Sequence, residues 1–424
     1  MKSTVSHDHV GLALAGGGPE GAIYEIGVLR ALEVAIEGLE LNRVPNYVGI
    51  SSGAFLAASL ANQITPSQLV RAIIKTDPGE HPFQPELFLT PAFGEFLRSG
   101  IALPKLFAEA LGDFLTNRKD KGIIKSFSRI SRAIPVGLFN NNPLRKYLEQ
   151  VFSKPGRTTD FRELKSNLHI VAADLDTGQK VVFGEPGMDH ISIPLAVQAS
   201  TALPGLYPPV LIEGRHYVDG VLLKTLHASS ILNSGVDLAI CINPIVPVDT
   251  GGSVEAGYMR RGKLIDRGMP AILSQTLRTL IHSRMEIGFR RYGLRYQNTD
   301  ILLVEPERND YRMFFTNTFS FASRKTVCEH AFRATLKQLS QRRETLGPML
   351  KKHGFQLNLE ALDCYETLDL WKGVGLDLEP KKTIPTKDVH HALAKLEHLI
   401  EMRTQKAASD SQNDMTRALA NVDV

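Results

Sequence analysis

The hydrophobic pattern of the first sixty residues predicts two strand–turn–helix units in succession. Residues 10–15 form a short apolar run that ends at glycines, as a buried strand does, and residues 22–37 repeat apolar side chains at helical spacing. A shorter extended segment at 47–48 precedes a second apolar helix at 54–61. Two such units so close together predict a mostly parallel sheet covered by helices.

The same alternation of predicted strands and helices continues along the chain, apart from one interruption at residues 81–132. Residues 250–262 are rich in glycine and polar side chains, which predicts a mobile loop. The fold class that this pattern predicts is α/β. Helices are predicted at 144–152, 193–200, 269–292 and 324–343, and strands at 169–173, 180–183, 207–212, 215–218, 237–242 and 301–304.

The interruption, residues 81–132, is rich in Phe, Leu and Pro and predicts an insertion beside the core. Within it, residues 118–132 carry six basic side chains and one acidic one, with apolar residues along one helical face. A helix of this kind is typical of a membrane surface, so we expect peripheral membrane contact through the insertion, taken as 81–135. The alternative is an amphipathic helix that packs on the core and turns a solvated basic face outward.

Composition narrows the classes of function. Hydrophobic residues make up 43% of the 424 residues and charged residues 22%, as in a globular protein with an ample core. The net charge of +4, from 49 basic and 45 acidic residues, gives no signature of nucleic-acid binding. The three cysteines are far apart and predict buried thiols in a reducing compartment. Because we find neither a secretory signal nor a run of ~20 apolar residues, we expect a cytoplasmic protein.

Residues 49–53, Gly-Ile-Ser-Ser-Gly, match the G-x-S-x-G pattern of a nucleophile elbow. The pattern lies between a predicted strand and a predicted helix, which is the context the elbow requires. Glycines on both sides permit a strained turn and leave room for a substrate beside Ser51. The alternative for these five residues alone is a strand-to-helix loop without chemistry.

The other glycine turn, residues 16–21, supports two interpretations. It matches the G-x-G-x-x-G fingerprint of dinucleotide-binding proteins, but Glu40, the acid that should follow, has no convincing second strand before it. The same glycines suit an oxyanion hole, because they let backbone N–H groups approach a substrate carbonyl at the start of a helix. A glycine turn next to a G-x-S-x-G elbow favours the second interpretation.

A serine nucleophile also needs a base. His216 and His227 lie near Asp219 in the sequence and could complete a Ser-acid-His triad, but histidines near turns are more often solvated or structural. Asp219 ends a predicted strand, is followed by a glycine and can project beside the active-site loops. Asp219 is therefore the stronger candidate.

Several of these motifs, in this order, resemble the patatin-like phospholipase family. The resemblance runs from about residue 10 to 244, apart from the insertion. It implies a three-layer α/β/α fold with a mostly parallel central sheet, a helical insertion and a helical C-terminal extension. The resembling segments are GGGPEG at 16–21, GISSG at 49–53, the DLxTG within 172–183, AVQAS at 196–200, ALPG at 202–205, YPPV at 207–210 and YVDG at 217–220.

The resemblance also implies hydrolysis of lipid acyl esters by a Ser-Asp dyad, without a metal or cofactor. The positions that match the family's motifs make Ser51 the nucleophile, Asp219 its partner, and Gly16, Gly17 and Gly18 the oxyanion loop. The resemblance also places a hydrolase domain at residues 8–345. We predict a mostly helical extension at 346–404, with a helix at 387–403, and a disordered tail at 405–424.

Two positions depart from the family's pattern. Glu20 stands where the family usually has Arg or Lys, and Val221 follows Asp219-Gly220 where the family has Gly or Ala. A carboxylate at position 20 could repel an anionic head group, so a neutral lipid or another acyl ester is an alternative substrate. Two alternative functions stay open at this point: a nucleotide-binding oxidoreductase using the 16–21 turn, and a non-catalytic membrane-associated protein with the same fold.

Overall fold

Eight strands form one mixed sheet in the computed structural model of this chain. The structure describes residues 9–75, 137–224, 226–255, 264–310, 321–371 and 374. A separate pair joins β2 (Ile36–Glu37) to β10 (Gln356–Leu357). The strands of the main sheet are β1 (Val10–Leu14), β3 (Asn46–Ile50), β4 (Asn167–Asp174), β5 (Lys180–Phe183), β6 (Val210–Ile212), β7 (Arg215–Asp219), β8 (Leu238–Ile242) and β9 (Asp300–Val304).

The sheet is mostly parallel. Its order is β6-β7-β4-β3-β1-β8-β9, and β5 also pairs with β4. Strands β4, β3, β1, β8 and β9 pair in parallel, whereas β5, β6 and β7 pair antiparallel. Every residue of β1, β3 and β8 is buried, as expected for central parallel strands with helices on both faces. The predicted α/β class with a mostly parallel sheet is confirmed.

Helices cover the two faces of this sheet. On one face, Ala13 and Val48 pack in a cluster with Ile281, which belongs to a long helix. Leu12 and Leu14 point to the other face, because side chains alternate along a strand, and they are fully buried. The described helices are α1 (Gly18–Ala35), α2 (Ser52–Ala61), α3 (Pro66–Val70), α4 (Asn142–Phe152), α5 (Ile193–Ser200), α6 (Ser229–Leu232), α7 (Thr250–Glu255), α8 (Gly268–Arg295), α9 (Phe321–Gln341), α10 (Arg343–Lys352) and α11 (Leu359–Asp363).

Strands β3 and β7 end next to each other on β4, and this arrangement positions the site. Ile50, the last residue of β3, pairs with Val171 of β4. The next residue of β4, Ala172, pairs with Asp219, the last residue of β7. Strand β5 pairs with both of these β4 residues and occupies the opposite edge. Parallel β3 and antiparallel β7 therefore share one edge of β4, and their carboxyl ends meet.

Several element boundaries differ from those predicted; for example, the strand predicted at 207–212 begins only at Val210. Helix α1 begins at Gly18 rather than at 22, so that Pro19 lies in its first turn, where proline is tolerated. The loop predicted at 250–262 is wrong in its first part, because 250–255 form α7. The Asp249 carboxylate accepts the N–H groups of Gly251 and Gly252 at 2.9 and 3.3 Å and satisfies the start of a glycine-rich helix.

The predicted insertion at 81–135, the helix at 387–403 and the tail from 405 lie outside the described residues. Helix α10 runs across position 345, and β10 after it pairs with β2, so residues beyond the proposed domain end continue the same compact unit, Met1–Gly375. The domain boundaries stay predictions. Within the described ranges, no helix has the length and hydropathy of a membrane span.

Candidate active site

Ser51 occupies the sharp turn between β3 and α2. Its backbone has φ 54° and ψ −124°, a conformation that is costly for a residue with a side chain. The residue is the N-cap of α2 but makes no side-chain capping bond, so its hydroxyl is available for another partner. Only 7% of Ser51 is exposed. A strained, buried serine at a helix N-terminus has the geometry of a nucleophile elbow.

Ser200 holds this turn in place from the end of α5. The Ser51 N–H donates to Ser200 Oγ at 2.9 Å, and the Ser200 hydroxyl donates to the Val171 carbonyl at 2.6 Å. Ser200 is fully buried. Its hydroxyl therefore links the elbow to the β4 residue opposite Ile50, and both bonds are protected from water.

Asp219 lies at the end of β7, directly beside the elbow. Its carboxylate accepts the Val221 N–H at 2.9 Å. Burial raises the pKa of Asp219 from 3.8 to about 7, and hydrogen bonding from the Ser51 hydroxyl and the Val221 N–H offsets part of that rise. The carboxyl group thus lies next to the Ser51 hydroxyl and changes protonation state near neutral pH.

The 16–18 turn lies on the other side of Ser51, between β1 and α1. Gly16 faces the elbow so closely that a Cβ there would stand 2.9 Å from Ser51 Cβ. Gly17 is the N-cap of α1, and Gly18 has φ +63°, in the left-handed region that favours glycine. The first N–H groups of a helix have no partner within it, and those of α1 begin here. The start of α2, at Ser51, lies beside them.

A cavity of about 220 Å³ lies in front of these groups. Gly17, Gly18, Ser51 and Asp219 all contribute to its wall, so the structure brings four of the five predicted site residues to one space. The fifth, Gly16, contacts Ser51 from behind. The remaining lining is mostly apolar and includes Ile23, Phe55, Ile73, Leu203, Leu206, Tyr207, Val221, Ile245, Leu277 and Ile281.

Glu20 and Arg278 place opposite charges near this cavity. Burial raises the pKa of the Glu20 carboxyl from 4.5 to about 7, and the positive charge of Arg278 offsets part of that rise. Arg278 projects from α8 and lines the cavity, whereas the acid at position 20 does not. Burial lowers the pKa of Arg278, and Glu20 counteracts this. The cation that the family usually has at position 20 is absent, and two arginines from other elements lie in the cavity wall: Arg278 of α8, and the buried Arg324 of α9, which donates to the Ile73 carbonyl at 3.1 Å.

The residues considered for a catalytic triad and for a dinucleotide site do not line this cavity. His216 is exposed on β7, and His227 is buried with its pKa lowered to about 3, first by burial and then by Lys180 and Lys224. Neither lines the cavity. Glu40 forms an ion pair with Arg43 at 2.7 Å and precedes β3, rather than ending a strand next to β1 as the dinucleotide fingerprint requires. Among the described residues, no cluster of His, Cys, Asp or Glu is arranged to hold a metal.

Comparison with known proteins fits this arrangement. The family model described as patatin-like phospholipase matches residues 12–230, just over half of the chain. The chain belongs to the patatin-like phospholipase family. Membership places this patatin-like protein among esterase- and lipase-type hydrolases of lipids, and the resemblance inferred from the sequence is confirmed.

Two solved structures are similar to this patatin-like protein at low identity. VipD from Legionella pneumophila is 15% identical with a TM-score of 0.35, over 79% of this chain and 67% of that one. The type III effector protein ExoU is 17% identical with a TM-score of 0.32, over 80% of this chain. The match covers 54% of the ExoU chain, so this protein spans about half of its length.

Ser200 and Arg278 are two of the residues of the patatin-like site that were not identified from sequence, and Arg324 in the cavity wall is another. Ser200 lies within the AVQAS segment that resembles the family, but nothing in that segment indicates that its hydroxyl bonds the elbow. Arg278 lies in a predicted helix with apolar residues around it, and only the packing of α8 brings it to the cavity. For Ser200, the only local signal is a serine one turn before a proline-glycine corner. For Arg278, we see no local signal.

Replacing Ser200 with alanine is expected to lower both stability and turnover. The change leaves the Ser51 N–H and the Val171 carbonyl buried without this partner, which costs about 2–3 kcal/mol of unfolding free energy. We expect kcat for an ester substrate to fall roughly tenfold, because the elbow is less firmly positioned. Urea unfolding and steady-state kinetics would measure the two effects.

Ser59→Ala is the matched control, since Ser59 is also buried but bonds only to Phe55 within α2. It should leave kcat unchanged. A Ser200→Ala protein that is fully folded and turns over as fast as wild type would show that this bond does not position Ser51.

Proposed function

We propose that this protein is a serine-dependent lipid acyl hydrolase in which Ser51 is the nucleophile and Asp219 the general base. The observation that carries the proposal is that the Ser51 hydroxyl lies next to a buried carboxyl group at the wall of one cavity, and that the pKa of this carboxyl group is about 7. A base with a pKa near the working pH combines sufficient ionisation with effective proton transfer. Both groups face an apolar cavity that suits an acyl chain.

The first half of the reaction acylates Ser51. As Ser51 Oγ attacks the ester carbonyl carbon, the Asp219 carboxylate accepts the hydroxyl proton. Negative charge then develops on the carbonyl oxygen, and N–H groups of the Gly16–Gly18 turn stabilise it at the positive end of α1. When the C–O bond to the alcohol breaks, protonated Asp219 returns the proton to the leaving oxygen.

The second half releases the fatty acid. A water molecule takes the position of the departed alcohol, loses a proton to Asp219 and attacks the acyl carbon. The tetrahedral intermediate uses the same N–H donors, and Ser51 Oγ leaves with the proton from Asp219. Each turnover consumes one ester and one water and yields an alcohol and a carboxylic acid.

Arg278 provides the charge that we propose selects an anionic head group. An arginine in a largely apolar wall binds a phosphate more strongly than an exposed one, because water screens it less. Glu20 opposes this, but its carboxyl is half protonated near pH 7 and carries only part of a negative charge. A phospholipid or lysophospholipid is therefore the favoured substrate, and a neutral glyceride is the alternative.

A lipid panel tests the proposed function. The full-length protein would be incubated with phosphatidylcholine, phosphatidylglycerol, a lysophospholipid and a monoacylglycerol, and released fatty acid measured by mass spectrometry. A fluorophosphonate probe should attach covalently to the peptide that contains Ser51. Absence of both fatty acid release and labelling would favour the hypothesis of a non-catalytic protein with this fold.

Replacing Arg278 with glutamine is expected to shift head-group preference. The ratio of kcat/KM for a lysophosphatidylglycerol to that for a monoacylglycerol with the same acyl chain should fall about tenfold, because a charge-assisted hydrogen bond is worth roughly 1.5–3 kcal/mol. Glu20→Gln removes the opposing carboxylate and should raise the same ratio severalfold. Equal losses on both lipids in Arg278→Gln would mean that the arginine does not read the head group.

A further inference from the structure

Helix α8 is apolar on two opposite faces. Its inner face is buried through Ile281, Met285 and Tyr292, and Ile281 and Tyr292 belong to the core cluster beneath the sheet. A helix packed on a core ordinarily turns a polar face to solvent. Here the outer face carries a row of large apolar side chains as well, and among the described residues packing on the core does not explain that row.

The outer face consists of large side chains at regular spacing. Leu273, Leu280, Ile287 and Leu294 follow one another at intervals of seven residues, and Met269 lies one turn before the first. Positions seven apart drift by only about 20° around a helix, so they form one row. Their exposed fractions are 64% for Met269, 60% for Leu273, 61% for Leu280, 50% for Ile287 and 77% for Leu294. We call these five residues the outer stripe.

Exposed apolar side chains scattered singly are normal, but an aligned row on one helix indicates an interaction surface. From Met269 to Leu294 the row covers about 37 Å, at 1.5 Å per residue. Ile272, 38% exposed, is a further apolar residue on the same helix, whereas Leu211 and Leu359 are exposed singly on β6 and α11.

Positive charge borders the outer stripe. Arg284, Arg290, Arg291 and Arg295 are all exposed on α8. At 100° per residue Arg290 and Arg295 fall on either side of the stripe, and Arg284 and Arg291 fall at the edge of the row itself. The single acidic residue of the helix, Glu286, is paired with Arg308 at 3.0 Å and with Arg290 at 4.0 Å, so three of the four exposed arginines of α8 have no acidic partner on the helix. An apolar row between arginines has the composition of a helix that lies in a lipid interface and attracts anionic head groups.

We infer that α8 is a membrane-docking helix, with the outer stripe inserted at the surface of an anionic bilayer. The same helix contributes Leu277, Arg278 and Ile281 to the wall of the cavity. Docking would therefore hold the cavity next to the lipid. This functional role of docking rests on the proposed lipid hydrolysis. The surface is distinct from the 81–135 insertion, which lies outside the described residues.

A second copy of this chain is the other occupant that an apolar row can have. Pairing two outer stripes would bring the bordering arginines of both copies together, and like charges at close range oppose association. An anionic bilayer supplies the opposite charge. The bilayer is therefore the occupant to which the charges of α8 are complementary.

Vesicle flotation tests the inference with the full chain carrying Ser51→Ala, so that lipid is not consumed. We expect binding to vesicles of equal parts phosphatidylglycerol and phosphatidylcholine, and at least tenfold weaker binding after Leu280→Ser with Ile287→Ser. Arg290→Gln with Arg291→Gln should weaken it by roughly fivefold for each arginine, as basic residues near an anionic surface do, and should reduce the preference over pure phosphatidylcholine.

Matched controls replace exposed residues elsewhere. Leu211→Ser with Leu359→Ser removes two leucines of similar exposure, and Arg43→Gln with Arg162→Gln removes two exposed charges. Both pairs should bind within twofold of the parent. In the Ser51-containing background, the outer-stripe variants should cleave a soluble short-chain ester at the wild-type rate, which shows that they are folded.

Three outcomes would overturn the inference: no vesicle binding by the parent, unchanged binding by the outer-stripe variants, or a parent dimer in sedimentation that those variants dissociate. A different result would reject the hydrolase proposal. Loss of all ester hydrolysis in the Ser51-containing protein, with vesicle binding that still needs the outer stripe, would reject the hydrolase and retain the docking helix.

Discussion

Replacing Ser51 with alanine is expected to lower kcat/KM for ester hydrolysis by roughly 10⁴–10⁶-fold, the loss that follows removal of a serine nucleophile. The hydroxyl is the atom that would form the acyl-enzyme, and no neighbouring group can take its place at the strained turn. Kinetics on a soluble short-chain ester would measure the loss, with wild type assayed alongside.

The alanine variant should remain folded. Ser51 makes no side-chain capping bond to α2, and its backbone bond to Ser200 does not depend on the hydroxyl. Thermal unfolding should therefore stay close to that of wild type. The control is Ser52→Ala, because the adjacent Ser52 hydroxyl is buried and has no hydrogen-bond partner among the described residues. If Ser51→Ala kept more than about 1% of the activity, another residue would have to be the nucleophile.

Replacing Asp219 with asparagine is expected to reduce kcat about 10³–10⁴-fold, comparable to the loss of a buried catalytic carboxylate in serine proteases. Asparagine keeps the shape of the side chain and its oxygen can still accept the Val221 N–H, but it cannot take a proton. His227→Ala is the control for the triad alternative. Loss of activity in that variant, with an active Asp219→Asn, would reverse the assignment of the base.

The pH profile gives Asp219 a second readout. Because the base must be ionised and its pKa is raised to about 7, kcat/KM should rise about tenfold per pH unit below 7 and level off above it. The residual activity of Asp219→Asn should lack this transition. A wild-type profile that is flat between pH 5 and 8 would contradict a base with this pKa.

The same carboxyl group should limit stability at alkaline pH. A group whose pKa is raised by folding, from 3.8 to about 7, holds its proton more tightly in the folded state, so stability is full below pH 3.8 and declines as pH rises to 7. Above that, the penalty is constant and reaches up to about 4 kcal/mol, at 1.36 kcal/mol per pKa unit. Asp219→Asn should therefore be more stable than wild type at pH 8, and the difference should shrink towards pH 4.

Much of this site could be predicted because the residues that form it lie in short local sequence motifs. Ser51 and Gly16–Gly18 each lie in a turn between a strand and a helix, where neighbouring residues dictate both the backbone geometry and the free N–H groups. The two strands that lead to Asp219 were also predicted, at 207–212 and 215–218, and they pair antiparallel as β6 and β7. Helix α7 was missed because its first turn is stabilised by a side chain before it, Asp249, which composition does not show.

The long-range contacts could not be predicted in this way. The bond between Ser51 and Ser200 and the charge of Arg278 beside the cavity depend on how distant elements pack, and their periodic patterns are those of ordinary helices. The outer stripe of α8 was hidden for a related reason. Apolar residues on two faces look in the sequence like a helix that is simply buried, and only the exposed fractions separate the two cases.

The meeting of β3 and β7 on one edge of β4 makes the proposed chemistry depend on strand register. Ser51 follows Ile50, whose partner is Val171, and Asp219 faces the next residue, Ala172. A slip of one residue in either pairing would turn the side chains over and separate hydroxyl from carboxylate, even if every strand still formed. Under the proposed function, hydrolytic activity would therefore report that both pairings have folded in register, and we expect a chain that pairs them wrongly to be inactive.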